Sequence, residues 1–165
     1  MSDRLTHLDE RGQARMVDVG AKPITERMSV ARAEVRMAAS TLERIAAGGF
    51  PKGDVLAVAR LAGIQAAKRT ADWIPLAHPI ALDAIEIDLT LDPAAGCVRV
   101  QAIARAQART GVEMEALVGV SAASLALYDM CKSVDRGMTV EAVRLAEKRG
   151  GKSGHWLRPG ERGGP

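Results

Sequence analysis

A set of lysines, one loop histidine and a few carboxylates stand where they could handle a phosphorylated ligand. Lys52, Lys68, Lys132, Lys148 and Lys152 fall at the expected ends of helices and strands. There a flexible ammonium can reach a phosphate, and a ligand with several phosphates could use several of them. Taken singly, a lysine is more commonly a solvated surface charge. His78 sits between Ala77 and Pro79, in a break where a loop can turn a side chain toward a cleft. Such a group can move a proton near neutral pH or donate a hydrogen bond to a ligand.

The carboxylates divide by spacing. Glu113 and Glu115 are two apart near an expected helix start and project to nearly opposite sides, so they cannot act as a simple pair. Glu113 has a local duty as the far end of a capping box opened by Thr110; Glu115 has none, which raises its functional weight. Asp129 and Lys132, three apart on one helix, are neighbours and could be a surface ion pair. Tyr128, Met130 and Cys131 around them predict partial burial, where each charge would shift the other's proton affinity. Glu115 and Asp129 lie about 21 Å apart along one helix, on the same side. If both touch one substrate, it is long or the site borrows residues from two chains.

Several elements must position these groups. Residues 1–29 lack a period and read as an arm containing the run MVDV, Met16 to Val19. A strand is expected over Val30–Met37, then a short helix opened by a capping box from Ser40 to Glu43 and stopped by Gly48, Gly49 and Pro51. Asp54 caps a long helix to about Thr70, rich in Ala and Gly and carrying Arg60, Lys68 and Arg69. Alternation with period two makes residues 82–107 a hairpin around Asp92-Pro93-Ala94-Ala95-Gly96. A helix from Thr110 to about Val134 and a strand over Thr139–Leu145 follow. Residues 155–165 have the composition of a flexible tail behind a single domain, residues 1–154. The order strand, helix, strand, strand, helix, strand is that of an α+β ferredoxin-like domain, an antiparallel sheet with both helices on one face. The other face would be open, and apolar residues on both sides of the elements point to a second subunit covering it.

Composition narrows the functions. At 165 residues, with 47% hydrophobic and 26% charged, the chain holds one soluble core. No transmembrane span is expected, and MSDRLTHLDERG lacks the apolar run of a signal peptide, so a cytoplasmic protein is expected. Cys97 and Cys131 are read as reduced and buried, and His7, His78 and His155 are too scattered for a metal site. A net charge of +3 does not by itself call for nucleic acid, and 2% aromatic residues leave almost nothing for bases to stack on. That weakens the competing reading of an RNA- or phosphate-binding module. A purely structural oligomerisation domain would leave His78, Asp129, Lys132 and the many lysines unexplained.

The runs MVDV, KGDVLAVARLAGIQAAKRT (Lys52 to Thr70), IPLAHP (Ile74 to Pro79), TGVEMEAL (Thr110 to Leu117), YDMCK (Tyr128 to Lys132) and GGKSG (Gly150 to Gly154) resemble, in order, the cyclic pyranopterin monophosphate synthases, the C protein of molybdenum cofactor biosynthesis. The resemblance covers roughly Leu5 to Gly154. It implies a lyase that converts 3′,8-cyclo-7,8-dihydroguanosine triphosphate to cyclic pyranopterin monophosphate and pyrophosphate, in a hexamer built as a trimer of dimers with sites at dimer interfaces. By motif position it implies that Asp129 and Lys132 are catalytic, with Lys52 and His78 assisting. Leu76, Ala77, His78, Glu113, Met114 and Glu115 would line the substrate pocket, and Lys68 and Lys148 would hold phosphates. It implies no cofactor and no metal ligand of the protein's own, and leaves room for a divalent cation carried by the triphosphate. One departure stands out: the family usually has Cys where this chain has Ala77, so that position is expected to contribute backbone and volume rather than a thiol.

Overall fold

The computed structural model describes residues 11–164; residues 1–10, with His7 and the start of the expected arm, and Pro165 lie outside the described residues. In chain order the elements are β1 (Thr25–Arg36), α1 (Ala39–Ala46), α2 (Val55–Ala67), α3 (Thr70–Trp73), β2 (Ala84–Asp92), β3 (Cys97–Ala108), α4 (Glu113–Cys131), β4 (Thr139–Arg149) and β5 (Trp156–Leu157). The strands form one antiparallel sheet in the order β2-β3-β1-β4-β5. The first four reproduce the expected ferredoxin-like arrangement, and β5 extends it.

Strand parity explains the layers. Ala31, Ala33 and Val35 of β1, Val98, Val100 and Ala102 of β3 and Ile87 and Leu89 of β2 form one buried face. Ala59 of α2 and Val120, Ala123 and Leu127 of α4 complete that core. Asp54 caps α2 as expected, accepting from the Ala57 N–H at 2.9 Å. By length and composition alone α4 could cross a membrane, which the expectation of no such span overlooked; most of it is buried in the fold.

Four expectations are corrected. First, β1 starts at Thr25 rather than Val30, because Met28 to Ala31 are buried on both faces and show no alternation. Second, neither capping box forms. Ala38 precedes α1 without a side-chain cap, and its N–H donates to Asp135 Oδ2 at 2.9 Å, the same oxygen that accepts from Thr41 Oγ1. Val112 precedes α4 uncapped, and Glu113 turns instead to Lys148. Third, the sheet face opposite the helices is not a uniform apolar surface awaiting a subunit. One end carries Arg32, Glu34, Asp88, Thr90, Arg99 and Gln101; at the other, Met28, Val30, Ile103 and Ala146 form a second buried cluster.

Fourth, the C-terminal segment is not a loose tail. Its β5 pairs with β4, and the Arg158 N–H donates to Ala146 O at 2.9 Å. Glu161 accepts from Arg32 and Arg144, and Gly164 lies against Val30. Beneath it Glu147 is fully buried, meeting Arg149 Nε at 2.6 Å, His155 Nε2 at 2.8 Å and the Gly164 N–H. Burial would push this carboxyl up, but the Gly164 N–H and the Arg149 and His155 side chains outweigh it and hold it below its usual range.

Candidate active site

Two clusters hold the functional side chains, one at each end of α4. At its start, Leu76, Ala77 and His78 face Glu113, Met114 and Glu115 across a cavity of about 260 Å³, with Val17, Val19, Lys22, Thr110 and Gly111 completing the wall. The apolar IPLA segment enters this loop because Ile74 ends α3, with its N–H on Thr70 O. His78 Nε2 lies 2.8 Å from Val17 O. A carbonyl can only accept, so Nε2 carries the proton, and in the neutral ring Nδ1 keeps its lone pair.

Glu113 and Lys148 form an ion pair of 2.8 Å, both half-buried. Gly111 leaves room beneath it: a Cβ there would fall 2.0 Å from Glu113 Oε2, and the flexible Glu113 side chain would have to move aside. Glu115 is 3% exposed, and burial pushes its carboxyl up to about 7. It also borders a second hollow, lined by Lys68, Arg69, Thr70 and Asp72. Glu115 therefore separates the His78 side from Lys68, whose ammonium has no ion-pair partner among the described residues. At neutral pH Glu115 is poised between donor and acceptor.

The linkage has a definite sign. Folded Glu115 keeps its proton to about pH 7, whereas an ordinary glutamate loses it near 4.5. Between those values the folded state binds the extra proton, so this group makes stability fall as pH rises through the window and then level off. Glu115→Gln should remove that fall. A shift of this size corresponds to ~3 kcal/mol if fully realised, and solvent entering the flanking hollows reduces it to about 2 kcal/mol. Urea unfolding of the parent and the variant at pH 5 and pH 8 checks it: the variant gains stability relative to the parent only at the higher pH.

At the far end of α4, Asp129 Oδ1 lies 2.6 Å from Lys132 Nζ, and Lys52 Nζ reaches Asp129 O at 3.1 Å and Oδ2 at 3.5 Å. The expected partial burial does not occur within one chain: the Asp129 and Lys132 side chains are 57% and 51% exposed. Their hydrogen bond holds the Asp129 carboxyl below its ordinary range and the Lys132 ammonium above its own. In this state Lys132 can give a proton but cannot take one until Asp129 is drawn away. Arg60, counted among the cations of α2, donates to Ile87 O at 3.0 Å instead of facing a ligand.

The fold thus brings together Leu76, Ala77, His78, Glu113, Met114 and Glu115, with Lys148 on the Glu113 side and Lys68 across Glu115. It also joins Lys52, Asp129 and Lys132. It does not bring the two groups to one another, since α4 separates them. Lys22 was not anticipated; it reaches the cavity because its N–H closes a turn on Val19 O, directly after the MVDV run. That aperiodic apolar-acidic run, useless as a secondary-structure signal, was the available clue.

The fold is a ferredoxin-like α+β domain, and lysines and carboxylates around a cavity of about 260 Å³ could hold a small phosphorylated molecule with a ring system. The family model for MoaC matches residues 16–151, and the chain belongs to the MoaC family. It is 59% identical over 157 residues to the cyclic pyranopterin monophosphate synthase of Roseiflexus sp. (strain RS-1), covering 95% of this chain and 99% of the relative. The protein of the same name from Parvibaculum lavamentivorans is 57% identical over 153 residues, 93% of this chain and 96% of its own. That of Thermomicrobium roseum is 55% identical over 154 residues, 93% of each chain.

Proposed function

We propose that each active site is assembled from two chains, the α4 start of one meeting the α4 end of another. The chain is a lyase that converts 3′,8-cyclo-7,8-dihydroguanosine triphosphate to cyclic pyranopterin monophosphate with release of pyrophosphate, as its family and relatives support. The observation that carries the two-chain reading is the separation of Glu115 from Asp129, about 21 Å of helix that no side chain among the described residues bridges.

In this reading the ring system enters the cavity of Leu76, Ala77 and Met114, where His78 Nδ1 and Glu115 can exchange protons with ring nitrogens. Lys68, Lys148 and Lys22 draw the triphosphate by charge. From the neighbouring chain, Lys132 gives a proton and Asp129, held ionised, then accepts one, while Lys52 offsets the charge of the departing pyrophosphate. These side chains supply the proton transfers without a resident cofactor, and a divalent cation accompanying the triphosphate would add to the same charge. Ala77 fills the cavity wall by its methyl group and backbone.

Assembly draws support from exposed apolar side chains on the helices rather than from the sheet face: Val58 and Leu61 on α2 and Leu125 on α4. Buried free Cys97 and Cys131 suit a reducing, cytoplasmic setting. Sedimentation velocity tests the assembly: a hexamer is expected, and a monomer mass independent of concentration would contradict it.

A further inference from the structure

We propose that the C-terminal strap, residues 155–164, is a positioning device for Lys148, acting through Glu147 and the β4–β5 pairing. The proposal rests on the reading above, in which Lys148 meets the substrate's phosphates. The strap lies beyond the family match, which ends at residue 151, so nothing in that match accounts for it.

Consecutive residues of a strand project to opposite faces. Glu147 lies opposite Val30 in the register and faces the strap; Lys148 lies opposite Ser29 and reaches Glu113 on the helix side. On its other edge, among the described residues, β4 is paired by β5 alone, with Glu147 opposite Leu157 and Lys148 opposite Trp156. Remove β5 and residues 147–148 become a sheet edge near a chain turn, where strands fray.

Glu147 is what the strap closes on. It is 0% exposed, and apart from Arg149 of β4 its partners come from the strap: His155 Nε2 and the Gly164 N–H. A buried carboxylate stripped of those partners cannot stay where it is, so the strap and Glu147 hold each other in place. Glu161 provides a second anchor on Arg32 and Arg144. Whatever pins Glu147 pins the next residue, and so directs the Lys148 ammonium to the cavity wall.

A double-mutant cycle in the full-length assembled protein tests this, reading KM for the triphosphate substrate alongside the melting temperature. Lys148→Ala should raise KM roughly ten-fold, as loss of one charge-assisted contact does. Glu147→Gln should raise it about five-fold, and the double variant should be no worse than Lys148→Ala alone. If Glu147→Gln does not fold, Glu161→Gln, which loosens the other anchor, completes the same cycle. Additive effects, or a lowered melting temperature with KM unchanged, would reduce the strap to a structural element and overturn the proposal. Lys148→Ala with unchanged KM would instead remove the underlying assignment of Lys148, and the proposal with it.

Discussion

Lys132→Ala is expected to cut pyrophosphate release by about a thousand-fold, the scale of losing a general acid together with a charge on the reacting group. The melting curve should remain that of the parent. Lys132 is half exposed, and Asp129, with which it forms an ion pair, is exposed as well, so neither contributes to the core. Lys132→Arg separates the two roles, because a guanidinium keeps the charge but does not release its proton. If proton transfer matters, arginine stays nearly as slow as alanine; recovery of most of the rate would assign Lys132 to charge alone.

The second large effect concerns stability. Gly63 of α2 packs so closely on α4 that a Cβ there would lie 2.9 Å from Gly119 O and 3.1 Å from both Ala123 Cβ and Ile87 Cγ1. A backbone carbonyl on the neighbouring helix cannot give way as a flexible side chain can. Gly63→Val should therefore force α2 from α4 and cost upward of ~3 kcal/mol, whereas Ala57→Val on the exposed side of α2 should cost only the lower helix propensity of valine, about 0.5 kcal/mol. Urea unfolding of the two variants measures the difference. Because α4 carries Glu115 near one end and Asp129 near the other, Gly63→Val should also lose activity as the folded population falls.

Legibility followed how local each signal is. The β2–β3 hairpin and the Asp54 cap are local, and the residues around them declare them. The start of α1 is not: its cap is Asp135, 97 residues from Ala38, while Ser40 and Glu43 offered a plausible local cap that the chain does not use. Met28 to Ala31 concealed the first half of β1 because four consecutive residues are buried there on both faces, so the period of two that marks a strand is missing. The strap itself was hidden by its Gly- and Arg-rich composition, since its order comes from Glu147 and paired arginines rather than from an apolar period.

At the candidate site, residue types and the family resemblance together pointed to His78, Glu115 and the Asp129–Lys132 pair, and the spacing along α4 already separated Asp129 from Glu115. What the spacing could not supply was Lys22, brought in by a turn, or the exposure of Asp129 and Lys132 within one chain. That exposure is what a site awaiting a second wall should look like.

The most direct measurement is complementation between two inactive variants. Lys132→Ala and His78→Ala chains, each silent alone, are mixed, dissociated and reassembled, and pyrophosphate release is read with mixed oligomers verified by mass. If one site takes Lys132 from one chain and His78 from another, random pairing restores about a quarter of the parental sites. Mixed oligomers with no activity above that of the separate variants would place the whole site within a single chain and contradict the account.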